Sequence, residues 1–163
     1  MKKMILMLAL ALPILASAQK IGHVNSQEIM AIMPETKQMG EKLDSLQSSY
    51  ETQLANMQEE FNKKLTEFQQ QQATMTAGVR EFRQQEIAEM EQRIYIFRET
   101  AQKDIQTKQQ EFLMPIQKRM LDAIQKVGAA EGCTYVFDSM AMLYISPDAL
   151  NLMPLVKKEL GIQ

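Results

Sequence analysis

Cysteine and histidine are almost absent from this sequence. Cys133 and His23 are the only residues of their kinds, so no disulfide can form within the chain. A structural zinc site usually takes four Cys or His ligands, and the chain has only two such residues. A cysteine–histidine catalytic pair would need these same two residues, and each lies in an apolar, strand-like segment. We therefore interpret Cys133 as a small buried apolar residue and expect no metal and no cofactor.

Glycine, proline and tryptophan are also scarce, with six Gly, five Pro and no Trp in 163 residues. A sandwich or barrel of many strands needs a turn about every 8–12 residues, usually built from Gly, Pro, Asn or Asp. The sequence also contains no P-loop, G-x-S-x-G, H-E-x-x-H or EF-hand pattern. These absences argue against an all-β fold, a nucleotide-binding α/β fold and an enzyme.

The first eighteen residues have the pattern of a secretory signal peptide. Two lysines at positions 2 and 3 precede an apolar run from Met4 to Leu15, and the small residues Ala16, Ser17 and Ala18 follow. We predict that residues 1–18 form the signal peptide and that cleavage follows Ala18. No later segment is apolar over eighteen residues, so no stable membrane insertion is expected.

The remaining chain is mildly acidic. Removal of the two signal lysines leaves 16 basic residues against 20 acidic ones, a net charge of −4. A chain of this charge has no general attraction to polyanions, so nucleic acid is not an expected partner.

Residues 34–128 predict a helical hairpin arm with its tip at about 73–79. Apolar residues recur in steps of three and four, and the series repeats every eleven residues, which corresponds to about 3.67 residues per turn. A second segment with the same repeat follows a Gln-rich, Gly-containing break, so the two apolar stripes are expected to pack antiparallel. The first stripe consists of Met39, Leu43, Leu46, Tyr50, Leu54, Met57, Phe61, Leu65 and Phe68. The second consists of Ile87, Met90, Ile94, Phe97, Ala101, Ile105, Phe112 and Ile116.

The two ends of the mature chain predict a small amount of β-structure. Strands are expected at residues 20–25 and 134–138, and the segment 142–146 is expected to pair with the second strand as a hairpin. Short helices are expected at 27–33 and 155–160. We predict an α+β fold that is mostly α, with residues 19–33 and 129–163 forming a β-rich body. Three strands of about five residues cannot supply a core of their own, so several copies are expected to combine their sheets.

Both end segments resemble the Skp (OmpH-like) family of periplasmic chaperones. The matching stretches are KIGHVNSQEI at residues 20–29, GCTYVFD at 132–138 and LVKKELG at 155–161, together with Pro115-Ile116 and AIQKV at 123–127. The resemblance implies a jellyfish-like homotrimer in the periplasm of a Gram-negative bacterium, with a small β-barrel body holding three helical arms around a cavity. It also implies ATP-independent binding of unfolded outer-membrane proteins. Well-known members are strongly basic, so the family's binding of anionic lipid is not carried over to this acidic chain.

Two sets of residues are candidates for these roles. Contact with an unfolded client should involve apolar residues that lie off the stripes, and trimerisation should involve apolar residues of the strands. Tyr95 and Ile96 could instead pack against a neighbouring arm, and Met75 and Phe82 could close the hairpin tip. A helical-hairpin spacer of the cell envelope, without chaperone activity, is the alternative function. The client-binding candidates are Met75, Val79, Phe82, Tyr95 and Ile96. The trimerisation candidates are Ile21, Val24, Tyr135, Phe137, Leu143 and Ile145.

Overall fold

The computed structural model describes residues 19–162, and the predicted signal peptide lies outside them. The chain is mostly helical, with a small sheet, which confirms the predicted fold class. In chain order the elements are β1 (Ile21–Val24), α1 (Ser26–Ile32), α2 (Pro34–Gln71), α3 (Ala77–Ala130), β2 (Tyr135–Asp138), a 3-10 turn (Ser139–Ala141), β3 (Leu150–Asn151) and α4 (Met153–Leu160).

The described residues fall into two compact units. The sheet unit comprises the residues up to Ser26 together with those from Asp122 onward, and the hairpin unit comprises Gln27–Leu121. The roles predicted for the two parts of the chain, trimerisation and client binding, stay predictions.

Helices α2 and most of α3 form the hairpin unit. Helix α2 begins with Pro34, which has the fixed φ of a helix and lacks an N–H that would be left unpaired in the first turn. The turn occupies residues 72–76, so Gly78 lies in the first turn of α3 rather than in the turn itself. Pro115 lies inside α3, and the helix continues on both sides of it.

The two predicted apolar stripes coincide with the parts of the helices that are shielded from solvent. Every stripe residue of α2 is half-buried and none is fully buried, because a pair of helices covers each seam from one side only. On α3 the stripe includes the buried residues Met90, Ile94, Ala101 and Ile116. The hydrophobic periodicity therefore identified the packing faces of both helices correctly.

The sheet unit contains three parallel strands in the order β2-β1-β3. The predicted strand at 142–146 is wrong, since this segment belongs to no strand, and the third strand is Leu150–Asn151 instead. Its pairing with β1 is followed by a hydrogen bond from Leu152 N to His23 O of 3.0 Å. This position places the side chain of Leu152 in the core, where it is fully buried. The burial of Leu152 thus favours Leu150–Asn151 as the third strand, although the apolar pattern of 142–146 is the stronger local signal for a strand.

The sheet is open rather than a closed barrel. In the part of the chain that the structure describes, β1 has a neighbouring strand on each side, while β2 and β3 each have one unpaired edge. The three strands have four, four and two residues, and a sheet of so few strands cannot close into a barrel. The barrel that the resemblance implied is therefore not formed by a single chain.

The core of the sheet unit lies on one face of this sheet. The end of α3 approaches β2 closely at Gly128, where an added Cβ would lie 2.9 Å from Val136 Cγ2. Helix α4 contributes the fully buried Val156 and ends at Gly161, whose positive φ of 72° suits a glycine C-cap. The buried apolar residues of this unit are Val24, Ala123, Ile124, Val127, Leu152, Met153, Val156 and Leu160.

The core of the sheet unit is packed closely against Gly22. A Cβ at position 22 would lie 2.6 Å from Leu152 Cδ1 and 3.3 Å from Cys133 Sγ. Since Leu152 is fully buried, it has no free space to move into. We expect Gly22→Ala to lower the free energy of unfolding by about 1–3 kcal/mol, measured by urea denaturation.

Gly40→Ala is the matched control for Gly22→Ala. A Cβ at position 40 meets nothing within 4 Å, and the residue lies inside α2. The control should stabilise the protein by about 0.5–1 kcal/mol through helix propensity. Equal effects of the two substitutions would contradict the close packing at Gly22.

Asp138 joins the end of β2 to the beginning of α1. Its Oδ2 accepts a hydrogen bond from the Ser26 hydroxyl, and its Oδ1 accepts one of 3.0 Å from Met140 N. The bond from Ser26 is the main reason that the pKa of Asp138 lies below its usual value. A carboxylate with a lowered pKa stabilises the fold above its unfolded pKa of about 4, and this contribution is lost as the pH falls through the folded pKa.

We expect Asp138→Asn to lower the free energy of unfolding by about 1 kcal/mol at pH 7, because an amide cannot replace the charged acceptor. The difference from the unmodified protein should begin to shrink below about pH 4, where the carboxyl group of the unfolded chain becomes protonated, and it should be lost fully only below the lower pKa of the folded state. Urea denaturation at pH 7 and at pH 3 measures both values. Asp148→Asn, at an exposed loop position, is the control. A deficit that is as large at pH 3 as at pH 7 would argue against a role for the charge.

Candidate functional site

Tyr95 and Ile96 form an exposed apolar pair in the middle of α3. They are 60% and 50% exposed, whereas their neighbours Ile94 and Phe97 belong to the shielded stripe. The apolar run at 94–97 therefore faces more than one direction, as its sequence predicted. The rest of residues 19–162 leaves this pair largely exposed.

The ring of Tyr95 borders a shallow groove between the two helices, with a volume of about 230 Å³. Its hydroxyl donates a hydrogen bond of 2.6 Å to Glu99 Oε1, one turn further along α3. This hydrogen bond, together with the negative charge of the Glu99 carboxylate, raises the pKa of Tyr95. The hydroxyl is thus anchored, and much of the ring stays open to an apolar partner.

The candidates near the hairpin turn have different environments. Phe82 is 64% exposed, and Val79 is also exposed. Met75 is half-buried and lines a small pocket with Phe68 and Ile87, so it helps to close the hairpin. The half-buried position of Met75 is compatible with tip closure, and Phe82 is largely exposed. The client-binding role predicted for both residues stays a prediction.

Two further exposed apolar residues on α3 were missed by the sequence reasoning. Met114 is 67% exposed, and Leu121 is exposed as well. Met114 lies eighteen residues after Ile96, which is five full turns at about 3.6 residues per turn, so both occupy the same face. Leu121 follows seven residues, or about two turns, later. A search for eighteen-residue spacing, rather than the eleven-residue repeat alone, would have found this face.

Polar contacts hold the two helices of the hairpin unit together along their length. Near the turn, Glu86 accepts from Lys64 and also from Arg83 Nη1 at 2.8 Å, and these cations lower the pKa of Glu86. In the middle, Tyr50 donates to Asp104 Oδ2 at 2.8 Å. The Tyr50 ring meets Phe97 edge to face, with centroids 5.8 Å apart. At the other end Glu35 pairs with Arg119. These contacts between α2 and α3 therefore hold in place the helix that carries the exposed residues.

A second exposed apolar surface lies on one face of the sheet. Ile21 pairs with Tyr135 across the parallel strands, and Phe137 follows on the same face two residues later. All three are exposed, and the rings of Tyr135 and Phe137 lie 6.0 Å apart. We call these three residues the open sheet face.

The other trimerisation candidates occupy different places. Val24 is 3% exposed and belongs to the core on the opposite face. Leu143 is fully exposed and Ile145 is half-buried, and both lie in the segment between the 3-10 turn and β3. Only part of the predicted set is therefore brought together on one surface.

No cluster of three His, Cys, Asp or Glu side chains suited to a metal ion occurs among residues 19–162. In the same part of the chain, no helix combines the length and the apolar character that crossing a bilayer requires. Cys133 is half-buried and unpaired by any disulfide.

The fold and its exposed surfaces define a class of proteins that combine a long helical hairpin with a small sheet. The chain belongs to the family described as outer membrane protein (OmpH-like), whose model matches residues 20–160. This match confirms the family inferred from the end segments.

Curated relatives and a solved structure agree with this membership. The chain is 26% identical over 151 residues to the chaperone protein Skp of Yersinia enterocolitica, covering 90% of this chain and 92% of that protein. It is 25% identical, with the same coverage, to the chaperone protein Skp of Pectobacterium atrosepticum. The fold is similar to that of an OmpH-like protein from Caulobacter crescentus CB15, with a TM-score of 0.78 at 14% identity. That similarity covers 87% of this chain and 83% of the other.

Proposed function

We propose that this protein is a periplasmic holdase chaperone that binds unfolded outer-membrane proteins without ATP and prevents their aggregation. The observation that carries the proposal is the exposed pair Tyr95 and Ile96 on a helix whose apolar seam is already used by its partner. Membership of the OmpH-like family and relatives named chaperone protein Skp support the same function. Cleavage after Ala18 would deliver the chain to the periplasm.

The physical task of such a chaperone suits weak and scattered apolar contacts. An unfolded outer-membrane barrel carries apolar side chains at alternate positions, which aggregate unless they are shielded. Several exposed residues along α3, each with a small contact area, can hold many different sequences. Contacts that are individually weak become strong when they act together, and each can still be released without an energy source.

We infer that three copies assemble through the open sheet face. Parallel sheets are normally covered on both faces. Residues 19–162 bury the face that carries Val24 and leave Ile21, Tyr135 and Phe137 exposed on the other. Ile21, Tyr135 and Phe137 would bury their exposed area against other copies. The number of three comes from the family resemblance. In this assembly, residues 19–33 and 129–163 form the trimerisation body and residues 34–128 form the arms, with the client in the space between them.

The function is tested by diluting an unfolded outer-membrane barrel protein out of urea and following its light scattering. The mature protein should suppress aggregation at about one trimer per client, with no nucleotide present. A spacer of the cell envelope would leave the scattering unchanged.

The double substitution Tyr95→Ser with Ile96→Ser locates the client surface in the same assay. We expect client affinity to fall several-fold, because burial of each large apolar side chain contributes about 1.5–3 kcal/mol and these two residues are only partly covered by a client. The trimer mass should not change. Gln109→Ser with Gln110→Ser, two exposed polar positions on the same helix, is the control and should behave as the unmodified protein does. Undiminished holding by the Tyr95 and Ile96 variant would remove these residues from the proposed surface.

Phe137→Asp tests the assembly surface. A carboxylate placed on the open sheet face, beside His23 of the neighbouring strand, would lose its water when copies meet, so the trimer should dissociate. Sedimentation equilibrium should then give the mass of a single chain. Thr134→Asp, at an exposed position just before β2, introduces the same charge outside this face and should leave the mass unchanged. A full trimer mass for Phe137→Asp would place the interface elsewhere.

A further inference from the structure

A pocket of about 280 Å³ lies between α2 and α3, at the end of the hairpin unit away from the turn. Its wall is mostly apolar, with contributions from Met39, Phe112, Pro115 and Ile116. The volume is close to the lower end of the range of about 300–1,000 Å³ found for small-molecule sites. The pocket can therefore accommodate one large apolar group.

The charges around this pocket are unbalanced. Glu35 is ion-paired with Arg119, so these two side chains compensate each other. Lys42 also lines the pocket, and its Nζ lies 5.5 Å from the centroid of the Phe112 ring. Lys42 forms no ion pair with any carboxylate of residues 19–162. One positive charge beside an apolar wall is complementary to an apolar group that carries an anion.

The length of the pocket distinguishes between two such ligands, the apolar side chain at the end of a polypeptide and the acyl chain of a lipid. On α2 the lining extends from Glu35 to Lys42, which is about 10 Å at about 1.5 Å per residue. The acyl chain of a membrane lipid covers half of a hydrocarbon core of about 30 Å, or about 15 Å. A single large side chain fits this length better than a lipid tail does.

A polypeptide ligand also supplies amide N–H groups. Oε2 of Glu35 is buried and has no hydrogen-bond partner among the described residues. A main-chain N–H group of an extended ligand, a few residues before its carboxylate, is a donor of the kind that this oxygen lacks, whereas a fatty acid has none.

We propose that this pocket binds the C-terminal residue of an extended polypeptide, with an apolar side chain against Met39 and Phe112 and the free carboxylate at Lys42. The inference rests on the proposed chaperone function and deepens it. Most contacts along α3 are apolar and have no direction, whereas this site would recognise one end of the client chain. A client could then be held in a preferred orientation.

The test uses two ten-residue Gly/Ser peptides that both end in Phe, one with a free carboxylate and one with a C-terminal amide. Binding to the mature protein is measured by the chemical-shift changes of its amides. We expect the free acid to bind with a dissociation constant in roughly the millimolar range, as its few contacting atoms allow. The amide should bind about tenfold more weakly, because it cannot form a charge-assisted hydrogen bond with Lys42.

Variants of α2 assign the effect to the pocket. Lys42→Gln should reduce binding of the free acid about tenfold and abolish the preference for acid over amide. Lys63→Gln makes the same change in charge at an exposed position of α2 outside the pocket and should have no effect. Equal binding of acid and amide, or full binding by Lys42→Gln, would overturn the proposal. Decanoate binding as tightly as the peptide would replace the chain end with a free amphipathic acid, and this would also overturn it.

The peptide measurements need no client, so they are independent of the chaperone assay. If aggregation is suppressed but the acid and amide peptides bind equally, the pocket proposal fails and the chaperone function stands. If the unmodified protein does not suppress aggregation, the proposed function itself fails.

Discussion

A pair of helices can bury only one seam, and this constraint determines which surfaces of the hairpin unit remain open. Each helix covers the other from a single side, so even the stripe residues of α2 are only half-buried. An apolar residue outside the seam faces away from the other helix, so the hairpin cannot cover it. Tyr95, Ile96 and Met114 are exposed for this reason. Their exposure is a consequence of the architecture, and it requires no movement of the chain to appear.

The sheet of the sheet unit is likewise covered from one side. The end of α3, together with α4, covers the sheet from one side, and Gly128 permits the close approach of the helix to Val136. Among residues 19–162, no second layer covers Ile21, Tyr135 and Phe137, which stay exposed. The two units therefore both leave apolar surface exposed, but of different kinds. The apolar residues of the open sheet face are close neighbours, whereas the exposed residues of α3 are scattered along the helix.

The sequence predicted the helices well because their signal is local and repeated. Seventeen stripe residues with a regular period leave little choice about which face of each helix is buried. The third strand could not be predicted in this way. Met142 to Ile145 has the composition of a strand, but the strand position beside β1 is taken by Leu150–Asn151, whose pairing buries Leu152. This choice depends on a contact between residues about 130 positions apart, which no local pattern contains.

The candidate surfaces were predicted in part, for a related reason. Sequence periodicity identifies residues that leave a seam, and Tyr95 and Ile96 were found from the apolar run that contains them. Whether such a residue is exposed depends on what else reaches it, and Met75 shows the difference because it lies in the turn and lines a pocket with Phe68 and Ile87. The pocket at Lys42 and Phe112 was not predicted, since its parts come from two helices and lie about seventy residues apart. Scattered apolar contacts can hold a chain but cannot distinguish one end of it from the other. A single uncompensated charge beside an apolar wall can make that distinction, because a free carboxylate occurs on the main chain only at its C-terminus.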